Sequence, residues 1–219
     1  MNITNYILKD IKSLTPKSTV KNAQNLFKRY PVTHFNLVEE GVLLGSFSES
    51  DIQTIENEKA FLTDYKYLLS HFYANEKATV LELLKIFADN DCTIVPVLGS
   101  NKQYLGYYDL CDILSIFSTS PFMIEVSETL IVEALESDFS MSRISQIVES
   151  NGGKLLGSFI SEKKTDFVQV TLKIVTEEIN EIIQTFRRYD YDIISSHDND
   201  VYLEDLKNRS QYLHKYLNM

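Results

Sequence analysis

The sequence GSFSESDI at residues 45–52 recurs in modified form as GYYDLCDI at residues 106–113, and this recurrence decides the fold. With an offset of 60 residues, the repeat extends back to a Thr-Val pair at residues 19–20 and 79–80. Further equivalent pairs are Phe27 with Phe87 and Thr33 with Thr93. A period of this length predicts two copies of one supersecondary unit, which stack to bury a face that neither copy could bury alone.

Each copy has the pattern of a helix, two strands and a second helix. Apolar residues at helical spacing predict the first helix of each copy; they are Val20, Ala23, Phe27 and Tyr30 in the first copy, and Val80, Leu83, Leu84, Phe87 and Ala88 in the second. Two short apolar runs then predict a β-hairpin; they span residues 33–38 and 42–47 in the first copy, and 93–98 and 103–108 in the second. The second helix begins at Ser48 or Asp109, and residues 59–70 are predicted to connect the copies as a helix.

Two tandem copies create a cleft with approximate two-fold symmetry between them, which suits ligand capture better than catalysis. Pro96 lies inside the first strand run of the second copy. Because proline has no backbone N–H, its position predicts either an edge strand or a backbone that faces a ligand instead of a neighbouring strand.

The pattern changes after a turn cluster at residues 118–121. Apolar periodicity then predicts strands at residues 129–135, 155–160, 167–174 and 192–195. Two helices alternate with them, one with Met141, Ile144, Ile147 and Val148, which a C-cap closes at Asn151-Gly152-Gly153, and one with Ile179, Ile182, Ile183, Phe186 and Tyr189. The order βαββαβ predicts a ferredoxin-like fold, with four antiparallel strands covered on one side by two helices. A final apolar stripe, formed by Tyr202, Leu206, Leu213 and Leu217, predicts a C-terminal docking or dimer helix.

Composition excludes several classes of protein. The 31 acidic and 21 basic residues give a net charge of −10, which argues against a nucleic-acid groove, because phosphate backbones need a basic surface. The two cysteines, Cys92 and Cys111, are too few and too far apart for a zinc ribbon or a redox pair, and they are predicted to be small core residues. The chain contains no secretory signal pattern and no run of 18 apolar residues, which predicts a cytoplasmic protein without a membrane segment.

The repeated Gly-x-x-Ser/Thr-x-x-Asp segment after a strand pair resembles the second half of a CBS motif, the paired module named after cystathionine β-synthase. Residues 1–118 therefore resemble a tandem CBS pair, or Bateman module, with copies at 1–58 and 59–118. The following βαββαβ unit at 122–198 resembles an ACT-type domain, and 199–219 form the terminal helix. This order of domains is similar to that of the acetoin utilisation family. The fold class is thus predicted to be α/β plus α+β.

The resemblance implies a ligand site. In CBS families that bind adenosine nucleotides, the Ser/Thr hydroxyl contacts ribose or phosphate, and the Asp carboxylate accepts the ribose hydroxyls. In this sequence the first copy supplies Ser48 and Asp51, whereas the second supplies Asp112 but has Asp109 where the hydroxyl residue would stand. A carboxylate at that position repels phosphate. The resemblance implies that the first strand of each hairpin lines the adenine base of the nucleotide, which places Phe35, Val95 and Val97 at the site.

A purely structural interpretation of the same residues stays open. Ser48 followed by acidic residues is also typical of a helix N-cap with charges that complement the helix dipole. Asp109 and Asp112 have the same pattern, and capping and ligand binding are compatible roles. In the ACT-like unit, the turn Ser137-Asp138-Phe139-Ser140 lacks the glycine that amino-acid-binding members carry, so Phe139 is predicted to pack and Ser140 to cap a helix.

No catalytic signature is present in the sequence, such as a phosphate-binding loop, a GxSxG elbow or an HExxH motif. The histidines at 34, 71, 197 and 214 lack metal-ligand spacing, and His34 is predicted to be satisfied or exposed rather than a cleft residue. We therefore predict a non-enzymatic, homodimeric regulatory protein without a metal or a resident cofactor, whose CBS pair binds an adenine nucleotide or a related adenosyl metabolite. The alternative is a ligand-free interaction scaffold that dimerises and docks on a partner enzyme.

Overall fold

The computed structural model of the chain describes residues 3–195. These residues belong to two compact units, which divide between Thr119 and Ser120. The predicted terminal helix at 199–219, its apolar stripe, and the last three residues of the predicted ACT-like domain lie outside the described residues. Each unit is considered by itself below.

The first unit contains the two sequence copies as two similar sets of helices and strands. The first copy comprises α1 (Val20–Arg29), β1 (His34–Glu39), β2 (Val42–Ser48) and α2 (Glu49–Gln53). The second comprises β3 (Ala74–Asn75), α3 (Val80–Asp89), β4 (Ile94–Leu98), β5 (Tyr104–Asp109) and α4 (Leu110–Ser118). The predicted connecting helix is shorter than expected and has 3-10 geometry at Leu62–Leu68, and a second 3-10 turn lies at Thr4–Tyr6.

Equivalent side chains start the equivalent helices. The Thr19 hydroxyl accepts a hydrogen bond from the Asn22 backbone N–H, and the Asn22 side chain accepts one from the Thr19 N–H in return. Thr79 and Glu82 form the same reciprocal pair at the start of α3. These capping boxes satisfy backbone donors that have no partner within the helix, so the repeated threonine fixes the starting point of both helices.

Each hairpin carries a bulge at a glycine. The β1–β2 register shifts between Leu37 and Val38, opposite Gly45, and the β4–β5 register shifts between Val97 and Leu98, opposite Gly106. Gly45 has φ of +150° and Gly106 has φ of +145°. L-residues with side chains rarely adopt these values, so the repeated glycine of the sequence motif is required by the backbone.

The segment that precedes each copy forms a short bridge with the hairpin of the other copy. Ser70, which precedes the second copy, forms backbone hydrogen bonds in both directions with Ser46 of the first copy, each 2.9 Å long. In the same way Leu8, which precedes the first copy, pairs with Tyr107 of the second copy at 2.8 and 3.0 Å. Each leading segment therefore pairs with the hairpin of the other copy, and the two copies share one architecture.

A pair of threonines marks the pseudo-two-fold axis. The Thr33 backbone N–H donates to the Thr93 hydroxyl at 3.1 Å, and the Thr93 N–H donates to the Thr33 hydroxyl at 2.9 Å. Farther along the axis, the equivalent residues Val42 and Gln103 form a bridge. The predicted relation between the copies is therefore visible as direct contacts between equivalent residues.

Two apolar clusters form the core of this unit, one around α1 with Phe27, Phe35 and Phe47, and one around α3 with Leu83 and Phe87. Two residues were wrongly predicted to lie in the core: Ala88, which was assigned to the apolar face of α3, and Cys111 are both exposed. Both lie on helix faces that point away from the clusters. Cys92 is buried as predicted, and burial raises the pKa of its thiol to about 12.

The second unit begins with a short helix, α5 (Pro121–Ile124), and then has the predicted βαββαβ order. Its elements are β6 (Glu128–Leu135), α6 (Met141–Ser150), β7 (Lys154–Lys163), β8 (Phe167–Val175), α7 (Ile179–Arg188) and β9 (Asp192–Ile193). The strands are antiparallel in the order β7-β8-β6-β9, which is the ferredoxin-like topology. The fold class predicted from the sequence is therefore confirmed.

Alternation along β8 builds the core of this second unit. Val168, Val170, Leu172 and Ile174 are all buried and pack with apolar residues of α6 and α7. Gly152 follows α6 with φ of +75°, in agreement with the predicted C-cap. Tyr189 was wrongly predicted to share the buried face of α7, because it follows the last helical turn and is exposed. Among residues 3–195, no helix is both long and apolar enough to cross a membrane.

Candidate functional site

Ser48 and Asp51 lie side by side where β2 ends and α2 begins. The Ser48 hydroxyl donates to Asp51 Oδ2 at 2.7 Å and accepts from the Asp51 backbone N–H at 3.1 Å. Ser48 Oγ also lies 2.9 Å from Ser50 Oγ. Both Ser48 and Asp51 are partly exposed, so the structure brings the two predicted residues together at a surface that a ligand can reach. It also shows the capping role that the sequence left open.

Four polar residues occupy one face of the first hairpin and lead to this pair. In the β1–β2 register His34 stands opposite Ser48, and Asn36 stands opposite Ser46. Side chains of directly opposed residues lie on the same face of an antiparallel pair. Phe35 and Leu37 alternate with them and pack into the apolar cluster around α1. The other face is therefore a polar strip, defined by His34, Asn36, Ser46 and Ser48.

The strip is hydrogen-bonded within the protein. The buried Ser46 hydroxyl donates to Asn36 Oδ1 at 2.9 Å, and Asn36 Nδ2 donates to the Tyr104 hydroxyl at 3.1 Å. Asn36 thus links the first copy to the second. These bonds satisfy polar groups that would otherwise be costly to bury, and they hold the strip in place.

His34 is the titratable member of the strip and is only 8% exposed. Its Nδ1 lies 2.9 Å from the Thr33 hydroxyl oxygen, and its ring contacts the edge of Phe72 at a centroid distance of 5.3 Å. Burial lowers the pKa of His34, while the nearby carboxylates of Asp51 and Asp91 act in the opposite direction. One ring nitrogen of His34 therefore has a hydrogen-bond partner, and the ring lies on the same face as Ser48.

The equivalent position in the second copy is occupied by different groups. The Asp109 carboxylate accepts hydrogen bonds from the backbone N–H groups of Cys111 at 2.8 Å and Asp112 at 3.3 Å, so it caps α4. The Asp112 side chain is partly exposed on the first turn of that helix. A phosphate at this end would meet two carboxylates without the serine hydroxyl that the first copy offers.

The face that corresponds to the polar strip is also different. Its residues, taken in the same order, are Ile94, Pro96, Tyr107 and Asp109. Tyr107 donates its hydroxyl to Asp10 Oδ1 at 2.6 Å, and burial together with that carboxylate raises the pKa of Tyr107. The second copy has therefore replaced most of the strip with apolar or already paired groups.

Pro96 lies in a strand that is flanked on both sides, but its backbone nitrogen is not required for pairing. Its partner across β4–β5 is Tyr107, whose backbone groups are already bonded to Leu8. On the other side, β3 pairs only with Val97 and Leu98. Of the two alternatives that the sequence left open, the simple edge strand is wrong.

Three apolar residues were predicted to line the adenine base, namely Phe35, Val95 and Val97. Each is at most 1% exposed and belongs to one of the two apolar clusters. In a strand, neighbouring residues face opposite sides. The structure therefore does not bring these three side chains onto the face of Ser48, and their role at a ligand remains a prediction. Asn36 and Ser46, which were not predicted at the site, share the face of Ser48 with His34, and the alternation of polar and apolar residues in β1 is the sequence signal for this face.

The turn between β6 and α6 of the second unit, at residues 137–140, is used for packing and for helix capping. Phe139 packs against the core formed by β6, β8 and the two helices, and the Ser140 hydroxyl accepts from the Arg143 backbone N–H at 3.4 Å. Both placements confirm the predictions for these two residues.

Comparison with known proteins identifies the first unit. The family model of the CBS domain matches residues 3–56 and 69–119. No curated protein sequence matches the chain significantly.

Similar solved structures include a CBS domain pair/ACT domain protein from Thermotoga maritima, at 16% identity and a TM-score of 0.49, which covers 55% of this chain and 100% of that one. They also include the CBS domains of a transcriptional regulator from Streptococcus pneumoniae, at 17% identity and a TM-score of 0.46, with coverage of 52% and 98%. A third is CBSX2 in complex with AMP, at 12% identity and a TM-score of 0.45, with coverage of 53% and 95%. Together with the internal repeat, the two matches to the family model establish that residues 3–119 contain tandem CBS domains.

Proposed function

We propose that this protein is a non-catalytic regulator whose CBS pair binds an adenine nucleotide or a related adenosyl metabolite at Ser48 and Asp51. The observation that carries the proposal is the adjacent hydroxyl and carboxylate, 2.7 Å apart and partly exposed, in the first copy. CBS pairs often bind AMP or ATP and are generally regulatory, which supports this ligand class.

The chemistry of the pair suits a ribose. A carboxylate accepts hydrogen bonds from two neighbouring hydroxyls, and such charge-assisted bonds are about twice as strong as neutral ones. Ser48 engages Asp51 Oδ2, and among the described residues none donates to Asp51 Oδ1. The free oxygen gives a ribose its first acceptor, and the Ser48 hydroxyl can turn toward the ligand when the ribose takes over Oδ2.

The second copy is expected to bind weakly or not at all. Asp109 already accepts two backbone hydrogen bonds, and Asp112 lacks a neighbouring hydroxyl at the position of Ser48. We therefore propose one strong site per chain, built on the first copy.

Calorimetry on nucleotide-free protein tests the proposal, with AMP, ADP, ATP, adenosine and S-adenosylmethionine as ligands. Asp51→Ala should weaken binding about ten- to a hundredfold, because each lost charge-assisted bond is worth roughly 1.5–3 kcal/mol. Asp112→Ala is the matched control and should change affinity much less. Circular dichroism must show that both variants remain folded. A deoxyadenosine ligand that binds as tightly as its ribose counterpart would contradict the role of Asp51.

A second candidate function is a ligand-free interaction scaffold that docks on a partner enzyme. The observation in its favour is that Ser48 and Asp51 already satisfy each other as a helix cap, as Asp109 does in the second copy. The absence of heat with all five ligands at millimolar concentration would support the scaffold against the sensor.

The assembly and the regulated process are further proposals. We infer a homodimer, because CBS pairs and ACT-type domains resemble modules that associate with themselves. A monomer in light scattering at micromolar protein concentration would refute it. The order of a CBS pair, an ACT-like unit and a terminal segment is similar to that of acetoin utilisation protein B. Resemblance of this kind suggests a regulatory role and names neither ligand nor partner.

A further inference from the structure

The polar strip contains one group that can change its charge near neutral pH. His34 stands opposite Ser48 in the β1–β2 register, so its side chain lies on the same face as the proposed ligand residues. It is close enough to Asp51 for that carboxylate to influence its protonation. Its Nδ1 is engaged by the Thr33 hydroxyl, which leaves Nε2 as the nitrogen available to a ligand.

The surroundings of His34 are acidic or uncharged. Asp51 at α2 and Asp91 in the segment before β4 are the charged groups that act on it. Its other neighbours are Thr33, Ser48 across the strand pair, and the Phe72 ring from the segment that crosses between the copies. Within residues 3–195, the side-chain ion pairs are Lys21–Glu58, Lys85–Asp89, Lys163–Glu136 and Lys164–Glu162, and none of them reaches Asp51 or Asp91.

This charge pattern sets a requirement for any ligand that carries phosphate. A phosphate group near Asp51 and Asp91 is repelled unless a positive charge enters the site with it. His34 can supply that charge, because a bound anion stabilises the protonated form of a neighbouring histidine and so opposes the burial that lowers the His34 pKa. The equivalent residue of the second copy, Ile94, offers no such group.

We propose that His34 couples ligand binding to proton uptake, so that a phosphate-bearing nucleotide binds at Ser48 and Asp51 together with one proton on the His34 ring. The inference rests on the proposed function, since it concerns the same site. It makes His34 the residue that distinguishes a nucleotide from its nucleoside, and it makes occupancy of the site depend on pH as well as on ligand concentration.

The test is calorimetry with AMP and with adenosine at pH 6.5, 7.25 and 8.0, each in two phosphate-free buffers of different ionisation enthalpy. AMP binding should take up close to one proton and should become tighter as pH falls, by at most about tenfold per pH unit. Adenosine, which lacks the phosphate, should bind without proton uptake.

Two variants separate His34 from other titrating groups. His34→Gln should still bind adenosine, should bind AMP more weakly, and should lose the proton uptake beyond that of the phosphate itself, whose second pKa is about 6. His71→Gln removes an exposed histidine and should behave like the wild type. As an independent readout on the unmodified protein, NMR should show the His34 ring pKa rising when AMP is added.

The outcomes are distinct. If AMP and adenosine both fail to bind, the proposed function fails and this inference falls with it. If AMP binds with the same proton uptake in His34→Gln as in the wild type, or with an affinity that does not vary with pH, the proposed function stands and the role of His34 is overturned. An unchanged NMR titration of His34 in the presence of AMP overturns it as well.

Discussion

The two CBS copies have nearly the same backbone arrangement but differ on the face where a ligand would bind. Both begin with a threonine capping box, and both carry a glycine bulge. In both, the first N–H group of the second helix donates to the carbonyl oxygen of the equivalent threonine. Thus the Glu49 N–H donates to the Thr33 oxygen and the Leu110 N–H donates to the Thr93 oxygen, each at 2.9 Å. These repeated contacts define the scaffold.

The residues on the face of the polar strip differ between the copies. His34, Asn36, Ser46 and Ser48 of the first copy correspond to Ile94, Pro96, Tyr107 and Asp109 of the second. The difference teaches that the two copies can share their backbone contacts and helix-side core while the other face of each hairpin is filled by side chains of different chemistry. The side chains on this face are packed differently in the two copies: Asn36 and Ser46 are buried as a hydrogen-bonded pair, whereas Ile94 and Tyr107 belong to the apolar cluster around α1.

The largest expected effect concerns the two bulge glycines. A Cβ at Gly106 would lie 2.2 Å from the Leu8 carbonyl oxygen, whereas one at Gly45 would lie 2.9 Å from Leu69 Cβ and 3.0 Å from the Ser70 oxygen. Both positions also have φ values that an alanine adopts only under strain. Gly106→Ala should lower the free energy of unfolding by about 3–5 kcal/mol, because it also separates the Leu8–Tyr107 hydrogen bonds. Gly45→Ala should cost about 1–3 kcal/mol.

Urea denaturation of both glycine variants measures this difference. Equal losses of unfolding free energy would show that a Cβ is tolerated equally badly at both glycines. That result would contradict the shorter contact distance at Gly106. An unaffected Gly106→Ala protein would mean that the Leu8 segment can move away without consequence for stability.

The next effect tests the polar strip that only the first copy has. Asn36→Ala removes the partner of the buried Ser46 hydroxyl and the donor to Tyr104. We expect a loss of about 2–3 kcal/mol, since a buried group left without a partner costs roughly 1–3 kcal/mol. Tyr104→Phe, which removes one bond and leaves Asn36 bonded to Ser46, should cost about 1 kcal/mol. Comparable losses in thermal unfolding for the two variants would contradict the central role of Asn36.

A third comparison exchanges equivalent core residues. Phe47 and Tyr108 occupy the same position in β2 and β5 and are both fully buried. The Tyr108 hydroxyl has no hydrogen-bond partner in the described part of the chain. Tyr108→Phe should therefore leave stability unchanged or raise it by up to about 1–2 kcal/mol, whereas Phe47→Tyr should lower it by about 1–3 kcal/mol. Destabilisation of Tyr108→Phe in chemical denaturation would show that the hydroxyl has a partner that the contacts do not reveal.

Features with local causes were predictable from the sequence. Apolar periodicity located α1, α3 and β8, because burial on one face forces that spacing. Ser48 and Asp109 were correctly predicted to start helices, because a short polar side chain before an apolar run satisfies free backbone donors. The glycine of the repeat is visible in the sequence as a motif residue, and the positive φ at Gly45 and Gly106 explains why it recurs.

Features that arise from the relation between distant segments were not predictable. The exchange of leading segments pairs Ser70 with Ser46 and Leu8 with Tyr107, and no local pattern encodes which hairpin a segment joins. For the same reason the sequence could not tell which face of β1 packs against α1: Phe35 lies in the apolar cluster, whereas His34 lies on the face of Ser48. Ala88 and Tyr189 show the same limit at helix ends, where periodicity continues but the packing partner does not.

The smallest expected effect concerns pH and stability, and it separates the copies at His34 and Ile94. Burial lowers the His34 pKa in the folded protein, whereas an unfolded histidine titrates near 6.5. The folded state therefore binds fewer protons than the unfolded state in this region. The stability that His34 contributes is complete above about pH 6.5 and is lost as pH falls through the lowered pKa.

His34→Ile, which copies the second repeat, should make the decline of unfolding free energy between pH 7 and 5 shallower than in the wild type, by at most about 1.4 kcal/mol per pH unit. Urea unfolding at several pH values measures the slope, with the exposed His71 as the control in His71→Gln, which should follow the wild type. Because carboxylates also titrate in this pH range, only the difference in slope from the wild type is diagnostic. Parallel curves for the wild type and His34→Ile would show that His34 titrates in the folded protein as freely as in the unfolded chain.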